Sequence, residues 1–540
     1  MRKIPEKNGG WSVLRTIRSY GVDTIFGIPG THNLEFYRHL SSLHIKPITS
    51  RHEQGAGYAA IGWSLQTGLP GVVITTSGPG LLNVLSAFGT AFCESVPLIV
   101  LSPGVSRGQE FADNGSLHET KDSIGATGAI GLWSRRPSTA RDAVELIHEA
   151  FALFATNRPR PVHIEVPLDV LESKAGIAGQ ILEKRTPRGE NRLNANELGL
   201  GVEALTSAKN PVVVSGGGSA IAAVELRKLA ESLGAPVIST INGKAVLPES
   251  HPLSVGSELR LPSAQALVNT ADVAVLVGTK MGVEEFWGGV ISPEGTVIRI
   301  DRDPSQKNKN VLSNIALIGD SGAVLKEIND SLSLASAPIY GWLGELGFQE
   351  LRERLRREAV RISPFLMTIA EEISAAIPRD AVVSGDSSQI TYLAMTSTTR
   401  LDQPRSFLYP AAYATLGFGL PAAIGAKIAS PTRPVVCVVG DGALMFSLQE
   451  MITASEQRLD LTLVCVDNGG YGEIRQNQID RGIQPVGVDL HQPDWLSVAT
   501  GLGFASRRVV THSGIRPSIE SAIQMGGLQF VHIPLESLSK

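Results

Sequence analysis

PVVCVVGDGALMFSLQEMITASEQRLDLTLVCVDNGG, residues 434–470, decides how the chain is read. A β-branched run, 434–439, ends at Gly440-Asp441-Gly442, a helical segment follows, and a second run, 461–466, ends at Asp467-Asn468-Gly469-Gly470. Short apolar runs separated by one helix are the mark of neighbouring parallel strands covered on both faces. Such a pair brings Asp441 and Asn468 to one carboxyl-end rim, where parallel sheets place their ligands. Ser447-Leu448-Gln449-Glu450 fits a capping box opening the helix between them.

One carboxylate, one amide oxygen and the carbonyls of a Gly-rich turn make a hard oxygen site. It is incomplete for Mg²⁺ unless phosphate oxygens and water fill the octahedron, and free backbone N–H groups beside it favour an anion. The pairing therefore predicts a metal-bridged diphosphate, whereas a lone Gly-Asp-Gly would be only a tight turn.

The same order of elements occurs near the start of the chain. AGYAAIGWSLQTG (56–68) leads to a strand at 71–76, the turn Gly78-Pro79-Gly80, a helix and a strand at 97–102. PAAIGAKIAS (421–430) leads to the stretch quoted above. One βα architecture is used twice, with different chemistry on each copy. In the earlier copy, Ser50-Arg51-His52-Glu53 sets a carboxylate between a strand end and a helix of small residues, which lets a neighbour approach closely. In a dry crevice such a carboxyl stays protonated and donates a hydrogen bond; on an open surface it is a solvated acid favoured by the helix dipole.

The fold expected is α/β, with three consecutive doubly wound parallel-sheet domains at 1–175, 190–335 and 362–540. Strand-like runs fall at 46–50, 71–76, 97–102 and 162–166 in the first, and at 211–218, 235–240, 273–278 and 296–301 in the second. Those of the third are 381–385, 434–439, 461–466 and 530–535. The polar stretch 174–199 reads as a linker, and the charged stretch 351–361 leads into the third block. With 43% hydrophobic and 19% charged residues among 540, there is ample material for packed cores and no compositional case for disorder. A net charge of −4 with scattered Lys and Arg speaks against a nucleic-acid partner. Cys93, Cys437 and Cys465 are too few for a disulfide framework or thiolate metal site and read as structural thiols. The polar N-terminus has no apolar core of a secretory signal, and no apolar run approaches the ~18 residues of a membrane span, so a cytoplasmic protein without a membrane partner is expected.

Gly27-Ile28-Pro29-Gly30, Arg51-His52-Glu53, Thr76-Ser77-Gly78-Pro79-Gly80, Gly417-Phe418-Gly419-Leu420-Pro421-Ala422-Ala423-Ile424-Gly425 and Gly440-Asp441-Gly442 with Asp467-Asn468 stand in this order along the chain. Together they resemble the thiamine-diphosphate enzymes, such as acetolactate synthases and benzoylformate decarboxylases, over essentially the whole length. The resemblance implies a pyrimidine-binding domain, a central domain and a diphosphate-binding domain, with thiamine diphosphate and Mg²⁺ as cofactors. Asp441, Asn468 and the Gly470 carbonyl would ligate the metal. Ser388 and Gln389 would form a diphosphate-contacting turn, beside Gly440, Gly442, Ala443 and Tyr471. Leu416 would prop the cofactor in a bent conformation, and Ala414 would help to hold its aminopyrimidine. Glu53 would bind the pyrimidine ring nitrogen from the partner subunit, which implies a homodimer at least, with a tetramer the expected assembly. The implied reaction takes CO₂ from a 2-oxo acid and releases an aldehyde, or passes the remaining acyl carbon to a second carbonyl as an acyloin.

Candidates for proton transfer near the reacting carbon are His32, in GIPGTHNLEFY, and His118-Glu119, in NGSLHETKD. His118 takes the place of an acetolactate synthase Gln, Glu119 keeps the acid that follows it, and Thr76 stands where benzoylformate decarboxylases carry a His. GIPGTHNLEFY, LHETKD, GDSSQ, YATLGFGLPAAIGAK and NGGYGEIR most resemble 5-guanidino-2-oxopentanoate (2-ketoarginine) decarboxylases. Little chain follows the last strand to form a lid, and Gly278–Glu285 replaces the Arg-rich turn that contacts FAD in acetolactate synthases. Both departures count against that activity and against bound FAD. Gly216-Gly217-Gly218 reads as a tight βα turn, and Glu284 with Glu285 as solvated acids or as partners for a guanidinium. The leading expectation is a 2-oxo acid decarboxylase, with carboligase side activity admitted. The alternatives are an acetolactate-synthase-type transferase and a catalytically silent binding subunit on the same fold, and the intact Glu53, Asp441 and Asn468 argue against the last.

Overall fold

The computed structural model describes residues 6–187, 193–332 and 339–538. The first five residues, the middle of the linker and the expected end of the central block at 335 lie outside the described residues.

Three six-stranded, wholly parallel sheets follow one another. The first comprises β1 (Thr24–Gly27), β2 (Lys46–Thr49), β3 (Gly71–Ile74), β4 (Leu98–Gly104), β5 (Trp133–Arg135) and β6 (Val162–Pro167), in the order β2-β1-β3-β4-β6-β5. The second comprises β7 (Pro211–Ser215), β8 (Val237–Ser239), β9 (Ser254–Gly256), β10 (Val273–Val277), β11 (Thr296–Asp301) and β12 (Ile315–Ile318), in the order β12-β11-β10-β7-β8-β9. The third comprises β13 (Val382–Gly385), β14 (Phe407–Leu408), β15 (Val435–Gly440), β16 (Leu461–Asp467), β17 (Ala505–Arg508) and β18 (Leu528–Pro534), in the order β14-β13-β15-β16-β18-β17.

Renumbered within each sheet, the first and third have one and the same strand order, the topological form of the repeat read from the sequence. The middle sheet has the two-halved order of dinucleotide-binding folds. The central strands are buried along their whole length, VAVLV in β10 and GVVI in β3 for example. Helices cover both faces, so every position of such a strand is apolar.

The chain forms two compact units: one holds the first sheet together with residues 420–432 and 446–459, the other the second and third sheets. In the first unit, α1 (Glu53–Thr67) is buried from Gly55 to Ser64 and so has no polar face. Its partner is α3 (Gly419–Ala429); α2 (Pro79–Glu94) precedes α3 in the chain, and α4 (Glu450–Glu456) and α5 (Gly472–Asp480) follow it. A Cβ on Gly62 would stand 2.1 Å from the Ala422 carbonyl oxygen, and one on Gly425 1.8 Å from that of Ala59. The two helices therefore touch backbone to backbone, and the small residues of the sequence are what permit it.

The expected capping box does not form. Ser447 Oγ is buried without a partner, helix α4 begins only at Glu450, and the Glu450 carboxylate turns to the backbone N–H groups of Arg51 and His52. These two part-buried donors outcompete a local cap for the buried carboxylate. Cys437 and Cys465 are buried in β15 and β16, where burial pushes their thiols up, and none of the three cysteines is in a disulfide. Among the described residues no helix is long and apolar enough to cross a membrane.

Candidate active site

In the third sheet the strand order reverses between β13 and β15, paired with Gly385 opposite Val438. Ligands of such sheets sit beyond the carboxyl ends at this reversal. There the chain places Asp386-Ser387-Ser388-Gln389 after β13, Gly440-Asp441-Gly442-Ala443 after β15, and Asn468 to Tyr471 after β16. A cavity of about 540 Å³ opens between them. Every residue expected on the diphosphate side lines it, Ala414 and Leu416 included, and Glu284, Glu285 and Trp287 of the central domain complete its wall.

At its inner end the oxygen chemistry is that of a cation site. Asp441 is 2% exposed, and its Oδ2 has no hydrogen-bond partner. Its Oδ1 accepts from the Asn468 backbone N–H at 3.1 Å. The side-chain oxygen of Asn468 faces the Gly470 carbonyl oxygen at 2.9 Å and Asp441 Oδ1 at 3.2 Å, a clustering of acceptors that a rotated amide or a cation resolves. Burial, reinforced by neighbouring Asp467, pushes the Asp441 carboxyl up to about 6, the mark of an acid lacking a counter-charge. These residues fit a small divalent ion whose remaining ligands come from phosphate and water. Gly470 is held at φ +147° with Val488 O 2.1 Å from where a Cβ would lie, so only glycine presents its carbonyl this way.

Ser388 Oγ accepts from the Gly440 N–H at 2.8 Å, which leaves its own proton free to donate to an anion. The loop bearing Ala414 and Leu416 is pinned by a residue that the sequence reading passed over. Asp386 is 1% exposed and accepts from the backbone N–H groups of Gly417 (3.1 Å) and Gly419 (2.8 Å). Burial raises its carboxyl to about 6 against the pull of these N–H groups.

The first sheet has its reversal between β1 and β3, and its candidates gather there. His32, beyond β1, meets Ser77, beyond β3, with Nδ1 and Oγ 2.6 Å apart. The His118 ring packs edge-on to His32 at 5.3 Å, its Nδ1 3.5 Å from Thr76 Oγ1. Burial, then the neighbouring His118, holds the His32 imidazole below its ordinary value. Glu53 opens α1, is 7% exposed and accepts from Asn83 Nδ2 at 3.0 Å. Glu119 is not brought to the pair: its two oxygens accept from the N–H groups of Asn114 and Gly115 in its own loop.

Asp386 and Asn83 are contributors that sequence reasoning missed, and Glu450 was read only as a capping partner. The acid of GDSSQ directly follows a strand, a signal that could have found Asp386; nothing local marks Asn83 or Glu450.

Comparison with known proteins agrees with this geometry. Residues 7–125, 201–328 and 386–533 match the N-terminal TPP binding, central and C-terminal TPP binding domains of thiamine pyrophosphate enzymes. The chain is 36% identical to the probable 2-ketoarginine decarboxylase AruI of Pseudomonas aeruginosa, over 98% of this chain and 94% of that one. It is 29% identical to a probable acetolactate synthase large subunit of Methanocaldococcus jannaschii, over 95% and 90%. It is 27% identical to the acetolactate synthase isozyme 2 large subunit of Escherichia coli, over 98% and 96%. With three domain matches in order and a 36% identical relative aligned from end to end, the chain belongs to the thiamine pyrophosphate enzymes.

Proposed function

We propose that the protein is a thiamine-diphosphate- and Mg²⁺-dependent decarboxylase that converts a 2-oxo acid to an aldehyde. The observation that carries this is the buried, unpartnered Asp441 Oδ2 beside the converging oxygens of Asn468 and Gly470. Bound thiamine diphosphate supplies the nucleophilic carbon and the electron sink that lets CO₂ leave.

The chain's own residues do the rest. Asp441, Asn468 and the Gly470 carbonyl hold Mg²⁺, and the Ser388 hydroxyl donates to a phosphate oxygen. Gln389, Gly440, Gly442, Ala443 and Tyr471 shape the same wall. The Asp386-pinned loop presents Ala414 and Leu416 to the pyrimidine. Glu53, steadied by Asn83, bonds the pyrimidine nitrogen of cofactor bound to the partner subunit, so the working unit is at least a homodimer. His32 and His118 share one proton-transfer position over Thr76 and Ser77, and Glu119 fixes the loop that carries His118.

The name of the Pseudomonas relative makes 2-ketoarginine the first substrate to offer. A second reading, condensation of two 2-oxo acids, is favoured by the acetolactate synthases among the relatives. Supplying 2-ketoarginine and pyruvate separately to the holoenzyme and recording CO₂, aldehyde and acetolactate separates the two. Aldehyde from the first substrate is expected; acetolactate as the main product would reverse the order. The absorbance spectrum of the purified protein is expected to show no flavin band.

A further inference from the structure

The outer wall of the cavity has a chemistry that holding the cofactor does not need. Among its described lining residues are Glu284, Glu285 and Glu473, in addition to Asp441, and no Lys, Arg or His. Glu473 lies in the first turn of α5 and is exposed. Its Oε2 is fixed by two neutral donors at 3.0 Å, Gln389 Nε2 and the Tyr392 hydroxyl. Its charge is thus oriented and left uncompensated by these partners.

Aromatic rings frame it. Tyr392 stands on a π-helical turn (Ile390–Met395), a rare geometry that recurs at functional sites. Its ring meets that of Trp287 edge-on at 6.3 Å. Trp287 is 43% exposed and held at φ +46°, a costly conformation for a large side chain. The Arg260 guanidinium lies 4.9 Å from its ring centroid, and Glu258 offsets that charge. The buried, unpartnered Ser387 Oγ and Asp441 Oδ2 on the same cavity mark it as built around a ligand.

We infer that Glu473, framed by Trp287 and Tyr392, is the residue that selects the far end of the substrate, and that this end is a planar cation of the guanidinium type. The inference rests on the decarboxylase reading and deepens it. A guanidinium takes a carboxylate through paired N–H donors and lays its flat face on an aromatic ring, and this wall offers both. A neutral alkyl tail in its place would strip water from Glu473 and return no hydrogen bond.

The test is Glu473→Gln in the holoenzyme, assayed on 2-ketoarginine and on a neutral 2-oxo acid of similar length. Inhibition by 5-guanidinopentanoate against hexanoate is measured alongside, as a binding readout that needs no turnover. A charge-assisted hydrogen bond corresponds to roughly a 10- to 150-fold effect. The ratio of kcat/KM for the cationic over the neutral acid is expected to fall by about that factor, mainly through KM, and the guanidino inhibitor is expected to lose its advantage. Glu473→Asp, which keeps the charge, is expected to recover part of the preference. If Glu473→Gln slows both substrates alike and leaves the inhibitors' ranking intact, Glu473 only positions the turn at Gln389 and the inference is overturned, with the decarboxylase reading untouched. If the wild-type enzyme itself decarboxylates neutral acids and not the cationic one, the inference fails at the substrate. A holoenzyme that releases CO₂ from no 2-oxo acid would sink the reading beneath it.

Discussion

The Glu450 carboxylate accepts the backbone N–H of His52 at 3.0 Å, and that of Arg51 at 3.0 Å, across nearly 400 residues of chain. Thr453 Oγ1 donates to its other oxygen at 2.6 Å. Glu450 is 1% exposed, and burial raises its carboxyl above the ordinary range. The candidate Glu53 follows His52 directly, so an acid carried on the later copy of the repeat holds the backbone that leads into the acid on the earlier one. In Glu450→Ala two part-buried N–H groups lose their acceptor, at about 1–2 kcal/mol in all. We expect a lower thermal midpoint and a kcat reduced more than KM; Glu450→Gln, which keeps one acceptor, should lose less of both. Unchanged kcat in a destabilised Glu450→Ala would confine Glu450 to a structural role.

Glu53 and Asp441 lie in different compact units, and the proposed site draws them from different subunits. Glu53→Gln is expected to keep binding thiamine diphosphate and Mg²⁺ by calorimetry while losing most turnover, and Asp441→Asn to lose binding itself. Coexpressed, the two inactive chains should regain activity, because a mixed dimer has one site made of wild-type residues only. Random pairing gives about a quarter of wild-type activity per dimer site. No recovery in mixed dimers would place both residues of a site on one chain.

Asn83 is the donor that steadies Glu53, with Nδ2 3.0 Å from Oε2. A carboxyl free to swing by an ångström is misplaced for its partner, and such misplacement lowers rates by up to roughly a hundredfold. Asn83→Ala is therefore expected to reduce kcat between tenfold and a hundredfold by about this reasoning, with cofactor affinity little changed. A loss of affinity in place of rate would make Asn83 part of the cofactor's seat.

How much of this was legible in the chain follows from where each group finds its partner. The strands named from sequence all form, because helices on both faces force unbroken β-branched runs. Six strands were not read: β14 is two residues, β5 and β9 are three each, and β17, with sequence ASRR, is an edge strand half open to water, while β1 (TIFG) and β12 (IALI) are buried runs of four that the reading passed over. Strand ends mark Asp441 and Asn468 in the sequence, whereas Gly470 was named only through the family resemblance, and all three line one cavity. Asp386 serves Gly417 and Gly419, 31 and 33 residues away, and Glu450 serves Arg51 from a distance of 399. No local pattern records such pairs. Glu450 was read as half of a local cap for this reason: the spacing was right, and a stronger demand came from elsewhere in the fold.

Removal of the metal should act through Asp441. In the proposed site, loss of the cation would leave this buried oxygen without a partner and the diphosphate with only the Ser388 hydroxyl and backbone N–H groups to hold it. Chelation of Mg²⁺ is expected to release thiamine diphosphate and lower the thermal midpoint, since a ligand bound only by the folded state stabilises it. Asp441→Asn should weaken metal binding by at least the roughly 10- to 100-fold typical of outer-shell changes. Retention of cofactor through dialysis against a chelator would mean that the diphosphate is held by Ser388 and backbone N–H groups alone.

His163 gives the fold an acid limit. It is wholly buried in β6, its Nε2 2.8 Å from Ser102 Oγ and its Nδ1 2.7 Å from Ser134 Oγ, and burial pushes the imidazole down from 6.5 to about 3. The unfolded chain takes up a proton on this ring below 6.5 and the folded chain does not until about 3. The stability it contributes is therefore complete above 6.5 and is lost progressively as the pH falls toward 3. Between pH 6.5 and 5 that loss is about 2 kcal/mol. In urea unfolding at pH 7 and pH 5, His163→Gln, though less stable at pH 7, should lose about 2 kcal/mol less than wild type over the interval. Equal losses in the two proteins would mean that the ring is charged inside the sheet, with a buried counter-charge supplied from somewhere other than its two serines.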